Sequence, residues 1–310
     1  MGKNTLIAIR VPYLETITKY LSTVSKVAER LSENRNNRLY IWVCSPELKE
    51  ERNERIFFKL SKALSELYLC SITTKDPSIF NVVPTVVLFE DWSGYSVQEI
   101  SNLCDTIYCT KNYDGLISKS NTEVLDIEAE VLEGRELEQS FVEIENEEKK
   151  ISNRIAAVGG TFDHLHVGHK VLLTLSAWIG IVKVYVGVSG NELLLNKIER
   201  AYLESIEVRK NSVYDFLHSI KKNIQSEIVT INDPFGPTIT TREIDSLLVS
   251  EETVKGADAV QMERRKRGLP ELDIYCIDIL NFARTTMPEN SDPIKLSSTA
   301  IRKELAKNNF

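Results

Sequence analysis

The chain has 310 residues, 42% of them apolar and 27% charged, with a formal net charge of −7. That length favours two domains at roughly 100–200 residues each, and the composition is globular, with apolar material for two cores. The acidic balance argues against bulk nucleic-acid binding, the lack of a membrane-length apolar run against a spanning helix, and the start Met1 to Leu6 against a signal or transit peptide.

The first region alternates between two periodicities. Strands are expected at 5–11, 39–44, 85–90 and 106–109, and helices at 15–32, 48–68 and 97–103. This pattern gives a small α/β domain over residues 1–120. It contains no histidine, no glycine-rich phosphate loop and no paired catalytic carboxylates, which favours a structural or docking role. Residues 121–152 are crowded with glutamates from Glu128 to Glu148 and read as an acidic linker. The five cysteines, Cys44, Cys70, Cys104, Cys109 and Cys276, are odd in number and widely spaced, so reduced thiols in the cytosol or nucleus are expected.

The second region, 153–310, alternates again. Strands are expected at 154–158, 182–188, 227–231, 247–250 and 272–278, with helices at 168–179, 204–222, 240–246, 253–267 and 299–307. Five short apolar strands with crossover helices predict an open, doubly wound, Rossmann-like parallel sheet. Ligands in such sheets bind at the carboxyl ends of the strands.

Three of the four histidines fall at that edge, in Gly159-Gly160-Thr161-Phe162-Asp163-His164-Leu165-His166-Val167-Gly168-His169. A strand, two glycines and a helix start bring bare N–H groups and the positive end of a helix dipole towards an anion. His166 and His169 lie three apart and can face one ligand, adding charge-assisted hydrogen bonds as a phosphate changes partner. A zinc site is the competing reading, but no thiolate lies nearby and a structural site wants four ligands. Near the end of the chain, Ser297, Ser298 and Thr299 can cap a short helix or offer hydroxyls and N–H groups to a triphosphate. Arg302, one turn further, reads equally well as a surface residue.

The string resembles the T/HxGH signature of the α/β nucleotidyltransferase superfamily, and Leu296-Ser297-Ser298-Thr299-Ala300-Ile301-Arg302 resembles its closing motif. Asn232-Asp233-Pro234-Phe235-Gly236-Pro237 and Val249-Ser250-Glu251-Glu252-Thr253 narrow the likeness to the eukaryotic and archaeal phosphopantetheine adenylyltransferase family, of the monofunctional fungal kind. The likeness covers about residues 153–306. It implies transfer of the adenylyl group of ATP to 4′-phosphopantetheine, giving dephospho-coenzyme A and pyrophosphate, the penultimate step of coenzyme A synthesis. Cytidylyl transfer, adenylyl transfer to nicotinamide mononucleotide and a non-catalytic nucleotide scaffold are the alternatives.

By resemblance, His166, His169 and Lys197 are catalytic. Gly159, Gly160, Thr161, Phe162, Lys197 and Arg209 meet the acceptor substrate, while Gly160, His169, Ser250, Glu251, Ser297, Ser298 and Thr299 meet ATP. Mg2+ accompanies ATP, and no protein-held metal is expected. Bacterial relatives carry arginines where this chain has Ser250-Glu251-Glu252-Thr253, so Lys197, Arg209, Lys255 and Arg264 become the candidates for charge compensation. Other coenzyme A enzymes are candidate partners for the first domain.

Overall fold

The computed structural model describes residues 2–34, 36–72, 83–110, 123–127, 151, 153–277 and 297–308. The chain divides into two compact units, which meet in sequence between Ile151 and Ser152.

The first unit holds β1 (Asn4–Arg10), α1 (Leu21–Leu31), β2 (Arg38–Cys44), α2 (Glu54–Cys70), β3 (Thr85–Phe89), α3 (Val97–Ser101), β4 (Thr106–Thr110) and β5 (Glu123–Ile127). The strands form one parallel sheet in the order β3-β2-β1-β4-β5. Leu6 to Ile9 are fully buried, as a strand covered on both faces requires. Three expectations shift. The helix expected at 15–32 begins as a 3-10 turn over Leu14–Tyr20. The helix expected at 48–68 breaks, because Asn53 accepts the Ile56 N–H at 2.8 Å and restarts the helix at Glu54. β5 lies inside the stretch expected as linker, and its pairing with β4 is a long-range choice that a glutamate-dense sequence conceals. The rest of that stretch, 128–150, lies outside the described residues.

At the mouth of this first sheet, the N–H of Leu14 donates to the Glu47 carboxylate at 2.7 Å. Lys59 binds the same carboxylate at 2.5 Å and Glu15 at 2.9 Å. The turn after the first strand of such a fold is a natural anion site. Here an internal carboxylate occupies it.

The second unit holds β6 (Ile155–Gly160), α4 (Val167–Ile179), β7 (Lys183–Ser189), α5 (Ile206–Ile220), β8 (Ser226–Ile231), β9 (Ser246–Ser250), α6 (Val254–Lys266), β10 (Asp273–Ile277) and α7 (Ser298–Asn308). Its parallel sheet runs β10-β9-β6-β7-β8. Numbered from its own first strand, each unit has the strand order 3-2-1-4-5, so the fold is a Rossmann-type sheet with its switch point beside the first strand. Gly180 ends α4 where a Cβ would stand 2.6 Å from the Lys183 carbonyl oxygen. Among the described residues no helix is long and apolar enough to cross a membrane.

The helix expected at 240–246 does not form. A 3-10 turn over Gly236–Ile239 precedes it, and the carbonyls that would build it are committed elsewhere. Arg264, fully buried on α6, donates to the carbonyls of Thr238, Thr241, Ile244 and Pro270. This also corrects the expectation that Arg264 compensates phosphate charge, since its guanidinium is held inside the crossover.

Arg264→Leu strips a buried donor from four carbonyls. Urea denaturation should give a loss of about 3–5 kcal/mol, the scale of unpaired buried polar groups; a loss below about 1 kcal/mol would show that water replaces the guanidinium.

Candidate active site

β6 carries Gly159 and Gly160 to the carboxyl edge of the sheet, paired with Gly187 and Val188 of β7. The two glycines therefore belong to the strand end, and the turn begins at Thr161. Phe162 and His164 both adopt left-handed φ values, 50° and 48°. These kinks turn the chain into α4, whose N-cap is His166.

The turn brings His166 and His169 face to face. Their ring centroids lie 3.8 Å apart with planes 27° from parallel, and the buried Phe162 ring lies 5.1 Å from His169. The Nδ1 atoms of both rings are buried, and among the described residues neither has a hydrogen-bond partner. Two orphaned polar atoms side by side are costly in a finished core and ordinary in a binding site. Burial lowers the His166 imidazole to about 4, and burial with the neighbouring His166 and Lys197 lowers His169 well below its ordinary value. The pair is thus neutral at pH 7, whereas the sequence reading expected charge. Lys197 follows β7 in an exposed loop and acts electrostatically on His169. Lys170, which the sequence reading passed over, is lowered by burial to about 8. Its only sequence signal was its place beside His169.

A buried ion pair frames the mouth. Asp163 is fully buried and paired with Arg302 of α7, which is 1% exposed. Arg302 also donates to the Ile198 carbonyl at 2.9 Å and to Thr299 Oγ1 at 3.1 Å. The surface reading of Arg302 is therefore wrong: its task is to join the closing helix to the signature turn. Ser298 Oγ adds a bond to the Asp163 carbonyl at 3.0 Å, and Ser297 Oγ accepts the Ala300 N–H at 3.3 Å. All three hydroxyl residues of the closing motif thus stand at the mouth, already engaged with the protein.

Arg209 is also fully buried. It donates to the carbonyls of Thr161 and Ser189, both at 2.8 Å, and to that of Glu204 at 3.1 Å. The expectation of an arginine free to grip substrate is corrected to a brace across the ends of β6 and β7, with its Nη2 lacking an acceptor among the described residues. Ser250 closes a tight turn with Thr253, its N–H donating to Thr253 Oγ1 at 3.0 Å, and Glu251 stays exposed. Lys255 is exposed in the first turn of α6.

The third histidine leaves the pair. His164 Nε2 lies 2.9 Å from the Tyr202 carbonyl, and its N–H donates to Glu204 at 2.6 Å. This ends the three-histidine zinc reading. Asp163, His164 and Glu204 are the group among the described residues with donor atoms close enough for a metal ion. Asp163 is already engaged with Arg302 and with the Glu204 N–H at 2.9 Å.

The cytidylyltransferase-like sequence profile matches residues 157–304. An uncharacterized protein of Schizosaccharomyces pombe is 51% identical over 99% of this chain and 98% of its own. A phosphopantetheine adenylyltransferase of Methanothermobacter thermautotrophicus is 35% identical over 48% of this chain and 83% of its own length.

The chain belongs to the cytidylyltransferase-like family of nucleotidyltransferases. A phosphopantetheine adenylyltransferase of Saccharomyces cerevisiae is 36% identical over 53% of this chain, and the match spans about half of that protein, 52%. In this cytidylyltransferase-like unit, the matched region contains every feature of the mouth described above.

Both imidazoles bind a proton more weakly in the folded than in the unfolded chain. The unfolded state therefore takes up more protons below the ordinary value of 6.5, and stability falls as pH drops from 6.5 towards about 4. In the free protein, NMR should find both rings neutral from pH 8 to about 5.5; a midpoint near the unperturbed value for either ring would contradict the burial described here.

Proposed function

We propose that the protein transfers the adenylyl group of ATP to 4′-phosphopantetheine, releasing pyrophosphate and forming dephospho-coenzyme A. The observation that carries this reading is the orphaned histidine pair at the mouth of the second sheet. The choice of substrates is supported by the archaeal and yeast relatives named above.

In this reading the acceptor's phosphate oxygen attacks the α-phosphorus in line, and the bond to the leaving pyrophosphate breaks. A phosphate dianion needs no covalent enzyme intermediate. The barrier is repulsion between two anions and the charge that grows on the leaving group, so positioning and preorganised donors do the chemistry. His166 and His169 meet those oxygens as neutral N–H donors; two rings 3.8 Å apart resist carrying two charges. Lys197 bridges the acceptor phosphate and the α-phosphate. Gly159, Gly160 and Thr161 offer close backbone approach, Phe162 packs behind His169, and the Nη2 of Arg209 is a spare donor beneath them.

Ser250, Glu251 and Ser297 to Thr299 line the nucleotide side. Among the described residues, the buried carboxylate at the mouth, Asp163, is already bound to Arg302. That donor set suits Mg2+ carried in on the phosphates with its waters, where it neutralises charge. The five cysteines stand as reduced thiols outside any disulfide, which accords with a reaction in the cytosol. The first unit, whose own anion position is filled by Glu47, would serve as a docking or stabilising module.

A pyrophosphate-release assay with ATP and 4′-phosphopantetheine should give turnover that His169→Ala lowers about 10²–10³-fold, the usual loss for one stabilising donor. Turnover with CTP in place of ATP would assign the site to cytidylyl transfer. Binding of ATP without turnover would assign it to a scaffold.

A further inference from the structure

We infer that His164 is a positioning residue: it holds the loop that carries Lys197 in register with the His166–His169 pair. This rests on the adenylyl-transfer reading of the same site.

Lys197 follows a short 3-10 segment over Asn191–Leu194, and its N–H donates to the Leu194 carbonyl at 3.2 Å. Its side chain is exposed, and among the described residues no hydrogen bond or ion pair fixes its ammonium. A long, flexible ammonium is a poor positioning device unless the backbone beneath it is held. What fixes Lys197 must therefore be its loop. Just beyond it, Glu199 takes a left-handed φ of 53°, so the chain doubles back.

The loop is tied at three points, at Ile198 to α7 and at Tyr202 and Glu204 to the signature turn. Arg302 binds the Ile198 carbonyl at 2.9 Å. His164 binds the Tyr202 carbonyl through Nε2 at 2.9 Å. Glu204 receives the His164 N–H at 2.6 Å and gives its own N–H to Asp163 at 2.9 Å. His164 thus supplies one side-chain bond and one backbone bond. Its left-handed φ of 48° turns the ring towards the loop and away from the stacked pair two residues on. Such a backbone costs free energy in a residue with a side chain, and it persists only where the surroundings hold it. The same six-residue string therefore divides its histidines between two tasks: His166 and His169 face the phosphates, and His164 holds the residue that joins them.

The Nε2 contact requires a proton on that nitrogen, because the carbonyl only accepts. A glutamine at 164 could make the same donation; an alanine could not.

The test is a double-mutant cycle in the full-length protein, reading kcat and KM for ATP and 4′-phosphopantetheine in pyrophosphate release. His164→Ala should lower kcat about 10- to 100-fold, the scale of a misplaced reacting group, with KM for ATP within about threefold. In a Lys197→Ala background the same substitution should change kcat by less than about twofold, since there is no lysine left to misplace. His164→Gln should recover activity to within about threefold of the wild type. An equal loss in both backgrounds would overturn the inference, as would an unchanged kcat in the wild-type background. If His164→Ala loses its cooperative melting transition, Glu204→Ala, which removes the acceptor of the His164 N–H, goes through the same cycle with the same expectation of coupling to Lys197. Failure of the adenylyl-transfer reading is distinguishable, because it appears as an inactive wild-type protein.

Discussion

The buried pair between Asp163 and Arg302 is the interaction on which the second unit's mouth depends. It joins residues 139 apart in sequence and nearly free of solvent. Without it, three segments that converge there have no common anchor: the turn from β6 into α4, the loop that follows Lys197, and the start of α7. Asp163 contacts all three, through its own turn, the Glu204 N–H and the Arg302 guanidinium. A buried ion pair is weak evidence for net stability, because desolvation offsets much of the attraction. Its value here lies in specificity. A planar, forked cation can satisfy a carboxylate, a carbonyl and a hydroxyl in fixed directions, and so defines one arrangement of three loops.

Arg209 and Arg264 extend the same device. All three arginines are among the largest fully buried side chains, and among the described residues two of them bind backbone carbonyls rather than a carboxylate. Irregular connections leave carbonyls without ladder partners, and those groups must be satisfied somewhere. Arg264 does this for the crossover between β8 and β9, and Arg209 for the ends of β6 and β7. The apolar parts of the fold need no such help: β1, β2, β6 and β9 bury continuous hydrophobic runs, and α4 is buried along most of its length. The arginines act where the chain leaves regular structure, which is also where the site is built.

Periodicity alone revealed both α/β units and most of the strand positions, because parallel strands and amphipathic helices write their burial into local sequence. The Gly-Gly and histidine string was equally legible, since its chemistry is concentrated in eleven consecutive residues. The arginines were not. Arg209, Arg264 and Arg302 look like any surface cation until long-range folding brings carbonyls to them, so a search for phosphate ligands among basic residues chose two scaffold groups. The charge state of the histidines was hidden for a related reason: it is set by burial, which depends on how Phe162 and the second ring close over the first. β5 was concealed by composition, because its pairing partner lies in β4 and the glutamates that follow dominate the local pattern. The repeated strand order was invisible as well. The two units share a topology while their first turns differ, one carrying glycines and the stacked imidazoles, the other filled by Glu47 and Lys59.

The central claim is that the stacked imidazoles form the phosphate site and that Asp163 and Arg302 hold it open to substrate without leaving each other. A crystal structure of the protein with a non-hydrolysable ATP analogue and 4′-phosphopantetheine tests this most directly. Phosphate oxygens should lie about 3 Å from a ring nitrogen of His166 or His169, with the Asp163–Arg302 contact intact. Nucleotide bound away from both rings, or Arg302 swung from Asp163 onto the phosphates, would contradict the account.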